Sequence, residues 1–265
     1  MKKLLITNDD GIDSPALIPL AKAMQRLGEV TVVAPNRERS WIGKAISKVD
    51  PVAVTRTDRD GIEIWSVDGF PADCVHVGAF GILDDLPDLV ISGINIGANN
   101  GTAYATGSGT LGAAIEASNI GVGGLAFSAM SEGIWNEWVR WVHTKPALEM
   151  WTRLAEVAAE VATVVLETGI PDEVDALSVN LPASSDRDTR RVVTGFARTR
   201  YGALLAGTNG RYRHAYDGNL RAEGDLAGSD VEALEAGFVS ITPVRMASRA
   251  PLADDLCDRL ERRPG

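Results

Sequence analysis

The sequence is poor in cysteine and histidine. Its two cysteines, Cys74 and Cys257, lie far apart and form no metal-binding spacing. They argue against a disulfide framework and favour a reducing compartment. The three histidines, His76, His143 and His214, are scattered as well, so each is interpreted as structural or exposed rather than as a metal ligand.

Long apolar segments are also missing. No stretch approaches the roughly 20 apolar residues of a membrane helix. The chain starts with Met and two lysines, but the apolar run that follows stops at Asn8, which is too early for the core of a signal peptide. We therefore expect a cytoplasmic protein with no membrane partner.

Positive charge is in deficit: 26 Lys and Arg face 36 Asp and Glu, for a formal net charge of -10. This balance argues against binding to long nucleic acids, which usually requires a basic surface. It leaves room for a small anionic substrate, because a metal ion and backbone N–H groups can hold a phosphate. The 265 residues, 45% of them hydrophobic, are enough for a substantial core.

The stretch from Leu4 to Gly11 organises the rest of the chain. A short apolar run ends in Asp9, Asp10 and a glycine, and a helical pattern begins at Leu17. In open α/β sheets ligands bind beyond the carboxyl ends of the strands. Two adjacent carboxylates repel each other unless a cation lies beside them, which favours a divalent metal. The alternative is that one aspartate caps the helix and the other is solvated.

A second apolar run at 30–34 completes a strand–helix–strand unit, which indicates an α/β fold with a parallel sheet. We predict further strands at 52–55, 62–65, 89–92, 125–128, 176–180 and 238–243. We predict further helices at 71–80, 111–117, 154–167 and 252–262, and a loop rich in glycine and asparagine at 93–101.

Two segments stand apart from this alternation. Trp135, Trp138 and Trp141, spaced three apart, are predicted to line one side of a helix that packs on the core or on a partner subunit, with substrate covering as the alternative. Residues 186–228 are rich in Arg, Gly and Tyr, which suggests hairpins outside the main sheet and an arm that contacts another subunit. One domain over residues 1–265, with this arm, is the economical interpretation.

The strand-end loops offer oxygen ligands: Asp9 and Asp10, Ser40, Asn95 with Asn99, and the turn at 108–110. Such hard donors suit Mg²⁺, Mn²⁺ or Ca²⁺ better than zinc. Residues 107–112 match G-x-G-x-x-G, but they do not directly follow a strand, as a dinucleotide fingerprint should. We interpret them as an anion cradle built by Ser108, Thr110 and the first N–H groups of the next helix.

The sequence contains neither a P-loop nor a G-x-S-x-G elbow. Carboxylates that bind a metal beside a phosphate cradle suggest hydrolysis of a phosphate ester. A divalent metal would supply both charge neutralisation and an activated water for this slow reaction.

Several motifs in order resemble the SurE family of 5'/3'-nucleotidases (survival protein E). The resemblance runs from Met1 to about Pro243, and its motifs are Thr7 to Gly11, Ala34-Pro35 with Arg39-Ser40 and Gly43, Pro71 to Val75, Ser92 to Asn95 with Gly97, Asn99 and Gly101, Ser108-Gly109-Thr110, Val179 to Pro182, and Phe238 to Pro243.

The resemblance implies a three-layer Rossmann-like sandwich with a mostly parallel sheet and a projecting C-terminal hairpin arm. It implies one divalent cation per subunit, Mg²⁺ or Mn²⁺, and a homodimer or homotetramer. By position, the metal ligands would be Asp9, Asp10, Ser40 and Asn95, and the substrate phosphate would be held by Asn99, Ser108, Gly109 and Thr110.

The chain departs from the family pattern near the predicted substrate. Ile96 replaces the usual Arg, residues 102–107 contain one residue more and lack an acidic residue, and the Trp-rich stretch at 134–151 is longer. The four metal positions are intact. The sequence therefore predicts a metal-dependent phosphomonoesterase for nucleoside 5'- or 3'-monophosphates, with Asp9 and Asp10 as catalytic residues. The alternatives are a phosphatase for a specialised phosphorylated metabolite and a nucleotide-binding module without turnover.

Overall fold

The computed structural model describes residues 1–216, 218 and 220–246, so Cys257 and the helix predicted at 252–262 lie outside the described residues. Strands and helices alternate through the first two thirds of the chain. The strands are β1 (Lys3–Thr7), β2 (Glu29–Pro35), β3 (Val54–Arg59), β4 (Ile62–Val67), β5 (Leu89–Ile96), β6 (Gly124–Met130), β7 (Ala176–Pro182), β8 (Arg191–Val193), β9 (Arg198–Tyr201), β10 (Leu205–Thr208), β11 (Arg211–His214), β12 (Leu220–Glu223) and β13 (Val239–Val244).

The helices are α1 (Leu17–Met24), α2 (Pro71–Val77), α3 (Gly101–Gly107), α4 (Gly109–Asn119), α5 (Trp135–Trp141), α6 (Ala147–Thr168) and α7 (Asp230–Glu235). A π-helical turn, Gly78–Ile82, extends α2 over the end of the predicted 71–80 helix. In the part of the chain that the structure describes, no helix is both long enough and apolar enough to cross a membrane.

The central sheet has the order β3-β4-β2-β1-β5-β6-β7-β13-β8. Neighbouring strands from β4 to β7 pair in parallel, whereas β3 and β13 are antiparallel to β4 and β7, respectively. The strand that carries the two aspartates, β1, lies between β2 and β5. The loops after these three strands therefore open at the same edge of the sheet.

Side chains alternate between two cores along β1. Leu4 and Ile6 join the core formed with α1 and α6, and Leu5 joins the core formed with α2 and α4. This period of two is the geometry of a strand buried on both faces. The sheet with a helical layer on each side confirms the predicted three-layer α/β sandwich.

The loop predicted at 93–101 is wrong in two places. Strand β5 continues to Ile96, because a register shift against β6 between Ser92 and Asn95 absorbs Gly93 and Ile94. A Cβ atom on Gly93 would lie 2.3 Å from the carbonyl oxygen of Phe127, so only glycine fits there. The short helix α3 then starts at Gly101, and α4 starts two residues earlier than predicted, at Gly109.

The prediction of hairpins outside the main sheet is confirmed, while the contact of this arm with another subunit stays a prediction. Strand β9 pairs with β12 and β10 pairs with β11, both antiparallel and outside the main sheet, and every residue of β10 and β11 is exposed. Strand β8 differs from the prediction, because it joins the main sheet beside β13. Trp135, Trp138 and Trp141 lie on α5, a helix as predicted, but only Trp138 of the three is buried.

Candidate phosphate and metal site

The turn after β1 is fixed by its own side chain. Asn8 donates from Nδ2 to the carbonyl of Gly11 and accepts from the N–H of Gly11, both at 3.0 Å. Gly11 has a φ of 85°, and a Cβ atom there would lie 2.7 Å from the backbone of Arg37. This closed turn holds Asp9 and Asp10 at the end of the strand, with Asp9 only 4% exposed.

The loop after β2 and the last residue of β5 bond directly to the two aspartates. The N–H of Arg39 donates to the carbonyl oxygen of Asp9 at 2.7 Å, and the N–H of Ile96 donates to Oδ2 of Asp10 at 3.1 Å. Arg39 precedes Ser40 and Ile96 follows Asn95. These bonds bring both predicted metal-ligand loops to the carboxylate pair.

The start of α4 completes the same cluster. Thr110 donates from Oγ1 to Oδ1 of Asp9 at 2.6 Å. A Cβ atom on Gly109 would lie 2.8 Å from the Cβ of Asp9, so the glycine allows the helix end to approach this closely. The N-terminus of α4, whose free N–H groups favour anions, therefore faces the acidic turn.

Burial dominates the electrostatics of the pair. Burial raises the pKa of Asp9 to about 6, and the hydrogen bond from Thr110 opposes this shift. Burial, followed by the charge of Asp9, raises the pKa of Asp10 well above its ordinary value. In the described part of the chain, neither carboxylate forms an ion pair with a basic side chain. Within the described ranges, no basic side chain supplies the positive charge that would stabilise the ionised form of the pair.

The four predicted ligands fit a hard divalent cation. Ser40 donates its hydroxyl hydrogen to Glu38 at 2.5 Å, which leaves the lone pairs of Oγ for a cation. Asn95 donates from Nδ2 to the carbonyl of Gly97 at 2.7 Å, which orients the amide and leaves Oδ1 as its acceptor. Together with two carboxylates, these are the oxygen ligands that Mg²⁺ and Mn²⁺ prefer. Among the described residues, no group of three His, Cys, Asp or Glu side chains is placed to hold a metal ion, so a cation at this pair would also use the neutral oxygens of Ser40 and Asn95.

The predicted phosphate-binding residues lie in two places: Ser108 and Thr110 at the start of α4, and Asn99 beside β6 and β7. Ser108 caps α4 by accepting the N–H of Leu111 at 3.0 Å, and its own hydroxyl hydrogen remains for a phosphate. Thr110 is already bound to Asp9. Asn99 lies over β6 and β7, where Ser128 accepts its side-chain amide and Asn180 accepts its backbone N–H, both at 2.8 Å. No described bond joins Asn99 to the aspartates.

Two acidic residues escaped the sequence reasoning. Glu38 holds Ser40, and its charge contributes to the raised pKa of both aspartates. Its position two residues before Ser40, in the same loop after β2, could have indicated a role at the site. Asp230, far along the chain, accepts the N–H groups of Gly101, Ala197 and Val231 at 2.6–2.9 Å and so fixes the start of α3. No local pattern marks it.

Fold and site together define an α/β protein with an acidic site at the carboxyl edge of its sheet. The family model described as "Survival protein SurE" matches residues 4–203. The chain is 34% identical over 254 residues to a protein of Methanococcoides burtonii, with 95% of this chain and 96% of the relative covered. It is 38% identical over 254 residues to a protein of Methanosarcina barkeri, with 94% and 93% covered. Both relatives bear the name 5'-nucleotidase SurE.

The structure agrees with these sequence matches. It superposes on the crystal structure of the SurE protein from Aquifex aeolicus with a TM-score of 0.76 and 31% identity, covering 98% of this chain and 100% of that one. The chain belongs to the SurE family.

Proposed function

We propose that the chain is a divalent-cation-dependent phosphomonoesterase that hydrolyses nucleoside 5'- or 3'-monophosphates to nucleoside and inorganic phosphate. Its family membership and the name 5'-nucleotidase carried by its relatives support the nucleotidase class. The observation that carries the metal dependence is the pair of buried Asp9 and half-buried Asp10, which lacks a basic partner among the described residues and is joined to the loop of Ser40 and to the end of β5 at Asn95.

Each residue has a defined part in this proposal. Asp9, Asp10, Ser40 and Asn95 would hold the cation. When bound, a divalent cation supplies positive charge to the phosphoryl oxygens and makes water more acidic.

Ser108 and the first N–H groups of α4, including those of Gly109 and Thr110, would orient the phosphate. Asn99, beside the ends of β6 and β7, would contact it as well. Either Asp9 or Asp10 accepts a proton from the attacking water as the general base. The water oxygen forms a new bond to phosphorus as the P–O ester bond breaks, and the leaving alkoxide takes the proton from the protonated aspartate to become the nucleoside hydroxyl.

The test is phosphate release from a panel of nucleoside 5'- and 3'-monophosphates with Mg²⁺, with Mn²⁺ and with EDTA. We expect release that requires the metal and that Asp9→Ala abolishes. Asp13→Ala is the matched control, because Asp13 belongs to the same turn but is exposed and paired with Arg59. Release that persists in EDTA, or in Asp9→Ala, would contradict the metal assignment.

A second candidate is a phosphatase for a specialised phosphorylated metabolite. The ring of Trp135 lies against Gly97, where an added Cβ would be 3.0 Å from it, so the chain's own Trp-rich stretch reaches the end of the strand that carries Asn95. Uniformly weak turnover of all nucleotides, with fast turnover of another phosphate ester, would favour this candidate. Nucleotide binding without release under any divalent metal would instead favour a binding module.

We also propose that the arm joins subunits into a homodimer or homotetramer. The fully exposed strands β10 and β11 carry the apolar side chains of Leu205 and Tyr212 into solvent. The mass in solution by light scattering tests this, and a monomer at micromolar concentration would contradict it. The cytoplasmic location and the single domain over residues 1–265 stay predictions.

A further inference from the structure

An aromatic cluster lies between the body of the protein and the arm. Trp41 is at its centre, with four ring centroids 5.4–5.9 Å away. The surrounding rings come from α3, β9, β11 and the segment after β11, and belong to Tyr104, Tyr201, His214 and Tyr216. Two parts of the chain that are far apart in sequence, α3 and the arm, therefore converge on Trp41.

This aromatic cluster adjoins the candidate phosphate site on two sides. Trp41 directly follows Ser40, a predicted cation ligand. Its ring also lies against Gly107, where a Cβ atom would be 3.4 Å from Cε3 of Trp41, and Gly107 directly precedes Ser108. A bond of 3.0 Å from the N–H of Gly43 to the carbonyl of Gly107 holds the two loops together. A ligand whose phosphate is bound at Ser108 would have this cluster as a neighbour.

The backbone of Trp41 is strained. Its φ of 59° lies in the left-handed region, which a bulky residue rarely adopts. Such conformations persist only where the surrounding structure enforces them, and they concentrate at functional sites. Here the conformation points the Trp41 ring toward the four surrounding rings, while the preceding residues of the loop remain bonded to the turn of Asp9.

The aromatic cluster is not a buried core. Trp41 is 39% exposed and Tyr201 is 37% exposed. Tyr104, Tyr201 and Tyr216 approach Trp41 edge to face, with interplanar angles of 76–82°. Exposed aromatic surface of this kind stacks readily with a planar ring, and such stacking tolerates different bases because every base has a π-face.

We propose that the aromatic cluster binds the planar leaving group of the substrate, which is the nucleobase if the proposed nucleotidase function holds. Trp41 is the stacking residue, and Tyr201 of the arm supports it. The cluster would thus select phosphate esters with an aromatic base over those that carry only a sugar. Because the arm supplies part of it, recognition of the base would require the arm to be in place.

The experiment compares adenosine 5'-monophosphate with ribose 5-phosphate, which has the same sugar and phosphate but no base. The readout is the ratio of their kcat/KM values with Mn²⁺. Loss of one stacked base lowers binding about tenfold or more, so Trp41→Ala should lower this ratio about tenfold and Trp41→Phe should retain most of it. Tyr201→Ala should lower the same kcat/KM ratio, and this substitution leaves Trp41 and Ser40 unchanged. Phe80→Ala is the control, an aromatic residue that is 63% exposed, stacks on His76 and is absent from the described ring contacts of the cluster.

A binding measurement separates this proposal from the proposed function. Titration with adenosine should quench tryptophan fluorescence in the unmodified chain, and Trp41→Phe should remove most of that quench. If no phosphate is released from either ester, the proposed function fails, while the adenosine titration still decides the fate of the aromatic cluster. An unchanged kcat/KM ratio in both alanine variants, or an equal loss with both esters, would overturn base binding by the cluster.

Discussion

Thr110 donates a 2.6 Å hydrogen bond to Oδ1 of the buried Asp9, and this bond joins the first turn of α4 to the end of β1. The bond lowers the pKa of Asp9 against the larger effect of burial. Thr110→Val keeps the shape but removes the donor, so the pKa of Asp9 should rise further above 6. We expect the acidic limb of the pH–activity profile to move to higher pH and kcat/KM near pH 6.5 to fall about tenfold.

Thr110→Ser is the matched control, because it restores the hydroxyl. Its pH profile should stay close to that of the unmodified chain. A Thr110→Val variant with an unchanged acidic limb would show that the bond does not tune Asp9.

Removal of one charge from the carboxylate pair should stabilise the metal-free protein. A folded-state pKa of about 6 for Asp9, above the ordinary value of about 4, means that the folded state binds more protons than the unfolded state between these values. This contribution to stability is full below pH 4 and is lost as the pH rises through 6. Asp9→Asn in EDTA should therefore raise the free energy of unfolding by about 3 kcal/mol at pH 8 and leave it nearly unchanged at pH 4.

Urea unfolding at both pH values measures this difference, and Asp13→Asn, at an exposed position, is the control. Mn²⁺ should stabilise the unmodified chain by mass action and should stabilise Asp9→Asn much less. Equal stabilisation of both by Mn²⁺ would place the cation elsewhere.

Glu38 is predicted to act through Ser40. It accepts the hydroxyl of Ser40 at 2.5 Å, and its negative charge raises the pKa of both aspartates. Glu38→Ala should weaken the apparent affinity for Mn²⁺ several-fold, because Ser40 loses its orientation. Glu38→Gln keeps an acceptor for the Ser40 hydroxyl, so the apparent affinity for Mn²⁺ should change less. It also removes a charge that is exposed and screened by solvent, so the acidic limb of the pH–activity profile should move only slightly to lower pH. Activity as a function of Mn²⁺ concentration distinguishes the two, and identical losses would contradict a role through Ser40.

Much of the candidate site could be predicted from the sequence, because each part of it is marked by a pattern of neighbouring residues. Asp9 and Asp10 end an apolar strand, and Ser40 and Asn95 follow or end neighbouring strands of a parallel sheet, so the fold brings them to one edge. Ser108 is a residue type that commonly caps helices, and it is the N-cap of α4. Each of these inferences depends on residues within one strand, turn or helix.

The missed features depend on contacts between distant segments. Strand β5 continues through Gly93 because a register shift beside the backbone of Phe127 accommodates it, and glycine near a strand end otherwise indicates a loop. Helix α3 consists largely of small residues with weak helical periodicity. Its first N–H is held by Asp230, which lies 129 residues away.

Asp230 is predicted to stabilise α3 and the cradle together. Its buried carboxylate accepts three backbone N–H groups, from Gly101, Ala197 and Val231. Asp230→Ala would leave these donors without a partner, at a cost of about 2–4 kcal/mol in the free energy of unfolding. Asp230→Asn would be little better, because its amide nitrogen would face at least one N–H donor.

Asp225→Ala is the matched control, since Asp225 is exposed and accepts only the N–H of Ala227 at 3.0 Å among its described bonds. It should change the free energy of unfolding by less than about 1 kcal/mol. Because Gly101 starts the helix that leads into Ser108, Asp230→Asn should also raise KM for the phosphate ester more than it lowers kcat. Urea unfolding and steady-state kinetics measure both effects, and an Asp230→Asn variant with unchanged KM would confine the role of Asp230 to stability.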